Sequence, residues 1–275
     1  MACTKTLTKY AVLFLLFLFS AFISAQNKAQ KEFEMLKNSK NWQLSFEDSC
    51  KQNWTSHWFL DGLRADIKNS ENGMLYSAGT VNRDDACHAV LWTKKSFSGT
   101  VKIEYDYTRT DARVVWVNIL YILATGVDKE HYDKDITKWN ALRIIPSMRN
   151  YFKNMNAYQI SYAAFKGNNE DPKADYIRLR QYPTPNRQES LKGSEIPEAS
   201  YATGLFKPGV QYHITAIKTS KKIYFNVSSE NESTLFSWNL REKSVLEEGR
   251  IGLRHMYTRS ALYKNFKIFE NTKNN

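Results

Sequence analysis

The feature that most constrains this chain is an alternation of apolar and polar residues that recurs from Asn41 onward. Residues 101–107 alternate at every position, as a β-strand with one buried face does. Residues 114–123 are almost wholly apolar, which is typical of a strand covered on both faces. The same reasoning predicts strands at 157–165, 176–182, 211–218, 223–228, 235–239, 250–256 and 262–269.

Three segments interrupt these strands. Residues 134–149 are predicted to form a helical or irregular insertion that ends near Pro146. Residues 166–173 and 183–202 are predicted to be long polar loops, and such loops often border a ligand groove in a compact β domain. Because strands never alternate with helices, the pattern predicts an all-β fold, an antiparallel sandwich or jelly roll. A hydrophobic content of 42% is enough for one large core, so residues 41–275 are predicted to be a single domain.

The N-terminus has the order of a secretory signal peptide. Lys5 and Lys9 precede an apolar stretch at residues 11–23, and small residues follow before Gln26. The stretch is shorter than the ~20 apolar residues of a membrane-spanning helix. We therefore expect residues 1–25 to be a signal peptide, residues 26–40 a polar leader, and the protein to be secreted or periplasmic without a membrane span.

Removal of residues 1–25 takes away Cys3 and leaves two cysteines, Cys50 and Cys87. Two thiols in an oxidising compartment can pair, but the sequence leaves their pairing open because it does not give their separation. The histidines share no HExxH-type spacing, so we predict neither a metal site nor a cofactor.

The charge balance indicates an anionic partner. Lys and Arg number 39 and Asp and Glu 28, a net charge of +11 that becomes 37 − 28 = +9 without Lys5 and Lys9. Export argues against nucleic acid as the target, and the sequence has no zinc-finger spacing or RNA-binding aromatic pattern. An acidic polysaccharide or oligosaccharide is the expected partner, and the protein is expected to be a monomer. A basic surface without any ligand is the alternative.

The strand predicted at 176–182 concentrates this charge. Alternation places Tyr176, Arg178, Arg180 and Tyr182 on one face. Guanidinium groups pair bidentately with carboxylate or sulfate, and the rings can stack on a saccharide. This face is the predicted substrate floor; a solvated outer face held by salt bridges is the alternative.

Candidates for proton transfer lie on other predicted strands. Tyr158 and Tyr162 share one face of the strand at 157–165, where they are either groove residues or core rings. His88 and His255 are candidate bases because imidazole titrates near neutral pH, although a lone histidine is more often structural.

A pair of acids offers a weaker signal. Glu104 and Asp106 project from one strand face, as in the Glu-x-Asp-x-x-Glu pattern of laminarinase-type glycoside hydrolases. The third acid of that pattern is replaced by Arg109, and a retaining hydrolase needs two carboxyl groups across the glycosidic bond. A hydrolase that uses Glu104 and Asp106 is therefore kept only as an alternative.

Several short motifs occur in the order found in the YesU-like family of concanavalin A-like β-sandwich proteins, which this chain resembles between about Trp42 and Glu270. They are HAVLW at 88–92, ISYA at 160–163, IRLR at 177–180, IGLRHM at 251–256 and YKNF at 263–266. The resemblance implies a jelly roll with a concave ligand-binding sheet and a place in bacterial degradation of pectin, rhamnogalacturonan or algal polysaccharides. Cys87 stands where the family has the first of two histidines, and His88 matches the second.

The residues and the resemblance together favour a carbon–oxygen lyase that performs β-elimination on a uronate and leaves a 4,5-unsaturated product, as a polysaccharide lyase or an oligosaccharide dehydratase. Arginines would neutralise the carboxylate and stabilise the developing enolate, the largest effect. Non-catalytic binding of an acidic glycan is the main alternative. The predicted catalytic residues are Tyr162, His88, Arg178 and Arg180, and the predicted substrate-binding residues are Tyr176, Tyr182, Tyr158, Asn118, Arg254 and His255.

Overall fold

A computed structural model describes residues 26–166, 171–240 and 245–272 of the chain. The predicted signal peptide, residues 1–25, lies outside the described residues. The chain divides into two compact units, residues 1–40 and 41–275. In the first unit, residues 26–37 are helical and are called α1. None of the described helices has the length and apolar character needed to cross a membrane.

The second unit contains the sixteen strands of the described residues and one short α-helix, α2 (Met148–Asn154). Short 3₁₀ segments lie at Trp54–Ser56, Asp85–Cys87, Ile136–Arg143, Pro172–Ala174 and Pro185–Arg187. In chain order the strands are β1 (Trp42–Asp48), β2 (Trp58–Asp61), β3 (Asp66–Ser70), β4 (Gly73–Ser77), β5 (His88–Thr93), β6 (Phe97–Ser98), β7 (Val101–Arg109), β8 (Asn118–Gly126), β9 (Met155–Phe165), β10 (Asp175–Tyr182), β11 (Glu195–Tyr201), β12 (Gln211–Lys218), β13 (Lys222–Ser228), β14 (Ser233–Asn239), β15 (Glu248–Met256) and β16 (Ser260–Asn271).

These strands form two antiparallel sheets, which confirms the predicted sandwich. Sheet A has the order β14-β13-β12-β7-β16-β4-β3, with β1 also paired to β16. Sheet B has the order β11-β10-β9-β8-β15-β5-β2, with β6 paired to β15. Each sheet turns one face toward a shared apolar core that includes Ile103, Tyr105, Leu120, Ile160 and Leu253. The other face of each sheet is called its outer face.

Most predicted strands lie within one or two residues of the observed ones, but no bounds were predicted for β1–β6, and two further regions differ. β8 begins at Asn118 rather than at residue 114, because Trp116 has a positive φ of 65° that breaks the extended backbone. The loop predicted at 183–202 contains β11, whose sequence EIPEASY holds a single aliphatic residue, Ile196, that packs in the core. An edge strand needs few apolar residues, so its alternation was too weak to predict it. The loop predicted at 166–173 lies partly outside the described residues.

An insertion is present where one was predicted at 134–149, and it covers part of the outer face of sheet B. It does not end near Pro146, because α2 begins at Met148 and extends it to Asn154. Its 3₁₀ segment Ile136–Arg143 and α2 pack on a second apolar cluster. Trp92 from β5 and Tyr121 from β8 stack there at 5.3 Å, and Tyr151 of α2 stacks on Tyr121 at 5.9 Å. Sheet B is thus covered on both faces in this region, which explains why the sequence of β8 is nearly all apolar.

Candidate functional site

Polar side chains concentrate on the outer face of sheet B, beside the insertion. Arg178 and Arg180 come from β10, and their registers place them opposite Ser161 and Gln159 of β9. The aliphatic residues between them, Ile177 and Leu179, pack in the core between the sheets, as their alternation predicts. We call the following set of outer-face side chains the arginine face: His88, Tyr121, Gln159, Tyr176, Arg178, Arg180, Tyr182 and Arg254.

Two arginines of this face share one carboxylate. Arg178 Nη1 lies 3.1 Å and Arg180 Nη2 3.4 Å from the same oxygen, Oε2 of Glu195 on β11. Arg180 Nη1 also donates to Ser194 Oγ at 3.0 Å and to the Leu191 carbonyl at 3.1 Å. Burial and the neighbouring Arg178 lower the pKa of Arg180. Positive charge therefore exceeds negative charge at this point of the sheet.

The third arginine, Arg254 of β15, is fully buried beneath the insertion. Its Nη2 donates to His88 Nδ1 at 2.7 Å and to the Pro146 carbonyl at 2.5 Å, and its guanidinium lies 4.6 Å from the centre of the Tyr151 ring. Within the described residues no carboxylate lies within ion-pair distance of Arg254. By contrast, the buried Arg143 and Arg259 pair with Asp61 and Asp111 respectively.

The contact with Arg254 sets the chemical state of His88. A guanidinium can only donate, so in this contact His88 Nδ1 accepts and the ring proton is assigned to Nε2, which lies 3.9 Å from Asp85 Oδ1. Burial, with the charge of Arg254, lowers the pKa of His88 to about 3, so the ring is neutral at ordinary pH. In this state His88 offers an N–H donor, not the free lone pair of a general base.

Several buried polar atoms of the arginine face have no hydrogen-bond partner within the described chain. They are His88 Nε2, Arg254 Nε and Nη1, Tyr121 OH, Gln159 Oε1, Arg178 Nε and Tyr182 OH. Tyr121 OH and the Arg254 guanidinium nevertheless lie close enough to interact with each other. Buried polar groups in folded proteins are usually paired, because an unpaired one costs about 1–3 kcal/mol. Seven such atoms on five adjacent strands mark this face as one that can take an outside polar partner. The other six such atoms of the described residues lie elsewhere, at Tyr105, Asn118, Thr215, Thr258 and Arg259.

A buried carboxylate that the sequence analysis did not predict, that of Asp61, holds the insertion against this face. Asp61, at the end of β2, is fully buried and pairs with Arg143 at 2.6 Å. Its carboxylate also accepts from Trp92 Nε1 at 2.7 Å, Tyr151 OH at 2.8 Å and Asn140 Nδ2 at 2.6 Å. The sequence signal was slight: an acid that ends the otherwise apolar stretch of β2.

The structure separates the predicted site residues into two groups. Six of them belong to the arginine face: Tyr176, Arg178, Arg180, Tyr182, His88 and Arg254. The other four, Tyr162, Tyr158, Asn118 and His255, project from the opposite face of sheet B into the core between the sheets. Since a sheet lies between the two groups, they do not converge on one site.

Most side chains of the second group have hydrogen-bond partners in that core. His255 Nε2 lies 2.7 Å from Tyr263 OH, and Asn118 Nδ2 donates to Tyr107 OH at 2.8 Å. Tyr162 OH lies 3.1 Å from Tyr263 OH, and burial raises the pKa of Tyr162 to about 12. Burial also lowers the pKa of His255 to about 3. These side chains have the environment of core residues, so we do not include them in the candidate site.

Tyr158 and Tyr182 are likewise enclosed. Tyr158 OH accepts from the backbone N–H of Leu246 at 3.1 Å. Tyr182 is only 1% exposed and packs in the apolar cluster under α2, with its ring 6.4 Å from that of Phe152. Of the two tyrosines predicted to flank the arginines, Tyr176 is therefore the more accessible one.

The two acids of the hydrolase alternative lie on β7 of sheet A, whereas the arginine face is the outer face of sheet B. Glu104 pairs with Lys102 at 3.2 Å. Asp106 contacts His213 Nδ1 at 2.8 Å and accepts from Asn265 Nδ2 at 2.8 Å, and the hydrogen bond from His213 lowers the pKa of Asp106. A lowered pKa is the opposite of what a general acid requires.

The two cysteines of the described residues, Cys50 and Cys87, are both buried and both free. Burial and the nearby Asp48 raise the pKa of Cys50, which keeps it as an unreactive thiol. The disulfide that the sequence left open is therefore not formed in this structure.

Comparison with solved structures defines the class of the fold. A Bacillus subtilis protein of unknown function with a galectin-like fold matches with a TM-score of 0.62 at 17% identity, over 82% of this chain and 97% of that one. Lectin II from Ulex europaeus matches with a TM-score of 0.51 at 12% identity, over 82% and 99%. The VIP36 exoplasmic/lumenal domain, solved with Ca²⁺ and Man3GlcNAc bound, matches with a TM-score of 0.51 at 11% identity, over 84% and 93%. The fold is a concanavalin A-like β-sandwich, as the resemblance implied.

The amino-acid sequence also identifies the family of this chain. Residues 47–268 match the family described as a domain of unknown function (DUF1961), and the chain belongs to that family. No protein with a curated description matches the sequence. The narrower resemblance to YesU-like proteins, and the polysaccharide-degrading context that it implies, stay predictions.

Proposed function

We propose that this protein is a glycan-binding protein, which recognises an acidic saccharide with the arginine face of sheet B. The observation that carries the proposal is that Arg178 and Arg180 share one carboxylate, Glu195, while Arg254 on the same face has no ion-pair partner among the described residues. A carboxylate or sulfate of a saccharide would supply the missing charge through paired N–H donors.

The class of the fold supports a saccharide as the carrier of that charge. Solved structures similar to this chain include lectins, and the VIP36 domain was solved with Man3GlcNAc bound. The neutral His88, with its proton on Nε2, and the amide of Gln159 would add donors and acceptors for sugar hydroxyl groups. Export directed by residues 1–25 and a monomeric state belong to the same proposal, since such a protein meets acidic polysaccharides outside the cell.

A second candidate is β-elimination on a uronate, and the grouping of arginines on this face favours it. In that reaction Arg254, Arg178 or Arg180 would neutralise the carboxylate next to the acidic C5 proton. His88 could only hydrogen-bond to the leaving oxygen at C4 through Nε2–H, because its Nδ1 lone pair is held by Arg254, and the elimination would need another group to take the C5 proton. Tyr162, the predicted partner in proton transfer, lies on the other side of the sheet, so non-catalytic binding is the better-supported function.

Calorimetric titration with soluble acidic polysaccharides tests both candidates. Polygalacturonate, alginate and ulvan are compared with the neutral glucan laminarin. We expect binding of at least one acidic polymer, weakened by salt because exposed charges are screened, and none of laminarin. Appearance of the ultraviolet absorbance of a 4,5-unsaturated uronate during incubation would instead establish elimination, and reducing ends without that absorbance would establish hydrolysis.

A matched pair of double variants separates the site from bulk charge. Arg178→Ala with Arg180→Ala removes two charges from the arginine face. Lys264→Ala with Lys267→Ala removes two from β16 of sheet A, where Lys267 pairs with Glu47 at 3.0 Å. The first variant is expected to lose at least tenfold in affinity and the second less than twofold. Equal losses would mean that the protein responds only to net charge and would refute the site.

A further inference from the structure

We propose a second saccharide subsite at the edge of sheet B, formed by Tyr176 and Tyr201, that takes the neighbouring sugar residue of an acidic oligosaccharide. The proposal rests on the proposed binding function and extends it, because it implies that the protein binds a chain of sugars and not a single uronate. The two tyrosines are direct cross-strand partners on β10 and β11, so their side chains lie on the same face.

The exposure of Tyr201 is the first observation behind this subsite. Its side chain is 55% exposed on β11, the outermost strand of sheet B. The Tyr176 and Tyr201 rings lie 6.4 Å apart and tilt by 48°, so they form a shallow aromatic platform. Aromatic side chains with a polar tip suit a ligand with one apolar and one wet side, as the C–H face and the hydroxyl groups of a sugar ring are.

Flanking cations are the second observation. The Arg178 guanidinium lies 4.4 Å from the centre of the Tyr176 ring, and Lys166 Nζ lies 5.8 Å from the centre of the Tyr201 ring. Each ring is thus bordered by a positive charge, which favours a sugar that carries a carboxylate or sulfate over a neutral one. Arg178 belongs to both subsites and makes them continuous.

The spacing fits successive residues of one ligand. Tyr176, Arg178 and Arg180 follow each other at alternate positions of β10, so each step is about 6.7 Å along the strand. The ligand would therefore run along β10, with its acidic group at Arg178 and Arg180 and its next residue over the tyrosines.

The backbone beneath the platform is held in place. Asp175 begins β10, and its carboxylate accepts from the backbone N–H groups of Thr203 and Gly204 at 2.8 and 3.1 Å. Its own carbonyl accepts from the N–H of Ala202 at 2.9 Å. These bonds fix the chain directly after Tyr201, so the ring is presented from a preorganised backbone, which reduces the ordering cost of binding.

A length series tests this subsite. Oligogalacturonates of one, two and four residues, or ulvan fragments of matching length if ulvan binds better in the screen above, are titrated into the full protein and into Tyr201→Ala. We expect the wild type to bind the four-residue fragment at least tenfold more tightly than the single residue. Tyr201→Ala is expected to lose most of that gain, about tenfold, while its affinity for the single residue stays within twofold.

Two control variants complete the test. Tyr201→Phe keeps the ring and is expected to stay within threefold of the wild type for every fragment. Leu75→Ala removes another exposed large side chain, 40% exposed on β4 of sheet A, and is expected to change nothing. Length-independent affinity in the wild type, or full affinity of Tyr201→Ala for the four-residue fragment, would overturn the subsite and leave the proposed function standing. Absence of binding to every acidic fragment would overturn both.

Discussion

The buried ion pair between Asp61 and Arg143 gives the sharpest prediction about stability, and Asp61→Asn is the change that tests it. Both side chains are fully buried. The carboxylate accepts from Arg143 Nε at 2.6 Å and Nη2 at 3.1 Å, and from Trp92, Tyr151 and Asn140. An asparagine keeps one acceptor oxygen but turns an NH₂ group toward these donors, and it removes the charge that balances Arg143.

The expected cost follows from this geometry. Breaking a buried pair by removing one partner leaves an uncompensated buried charge and typically costs about 3–5 kcal/mol. Whole domains are stable by about 5–15 kcal/mol, so Asp61→Asn should remove about a fifth or more of the total. The loss should also loosen the insertion, because Arg143 and Tyr151 belong to it.

Urea unfolding followed by tryptophan fluorescence measures the effect. Arg143→Met should be similarly costly, because it leaves the carboxylate unpaired. The double variant should be less destabilised than the sum of the two by about 2 kcal/mol, the coupling expected of contacting charges. Arg149→Met, which breaks an exposed pair of α2 with Glu189 at 2.6 Å, is the control and should cost less than about 1 kcal/mol. A loss below about 1 kcal/mol for Asp61→Asn would refute the reasoning.

Three further predictions concern the site and its support. Glu195→Gln should raise the affinity for the acidic polymer several-fold in calorimetric titration, because it removes the carboxylate that competes for the arginines; lower affinity would contradict this. Gly252→Ala should cost about 1–3 kcal/mol in urea unfolding, because a Cβ would lie 2.4 Å from ring atoms of Trp92; an unchanged midpoint would contradict it. Since folding lowers the pKa of both His88 and His255 to about 3, the free energy of unfolding should fall as the pH falls from about 6.5 toward 3, where the unfolded chain takes up protons that the folded protein excludes; a flat profile would contradict this.

Much of the fold could be predicted from the sequence because alternation reports which side of a strand meets the core. The strand of Arg178 and Arg180 was placed correctly, with its aliphatic residues inside and its arginines outside. β11 could not be predicted, because an edge strand with one core residue has almost no alternation to detect. Trp116 shows a second limit: an apolar run does not reveal where one residue adopts a positive φ and delays the strand.

The candidate site was predictable only in part. Alternation shows which side chains share a face of one strand. It does not show which faces of two different strands lie on the same side of the sheet. Tyr162 and Arg178 were therefore joined in one site, although their side chains leave sheet B in opposite directions. Glu195 and Asp61 were missed for a related reason: their partners are distant in the chain, and only the folded sheet brings them together.

The different exposures of the three arginines imply an order of events on the arginine face. The side chains of Arg178 and Arg180 are 19% and 12% exposed, whereas that of Arg254 is fully covered by the insertion. An incoming anion therefore meets Arg178 and Arg180 first, and it must displace Glu195 to reach them. Contact with Arg254 requires the further step of moving the insertion that covers it, so changes at Glu195 should act on the first encounter and changes in the insertion on the final affinity.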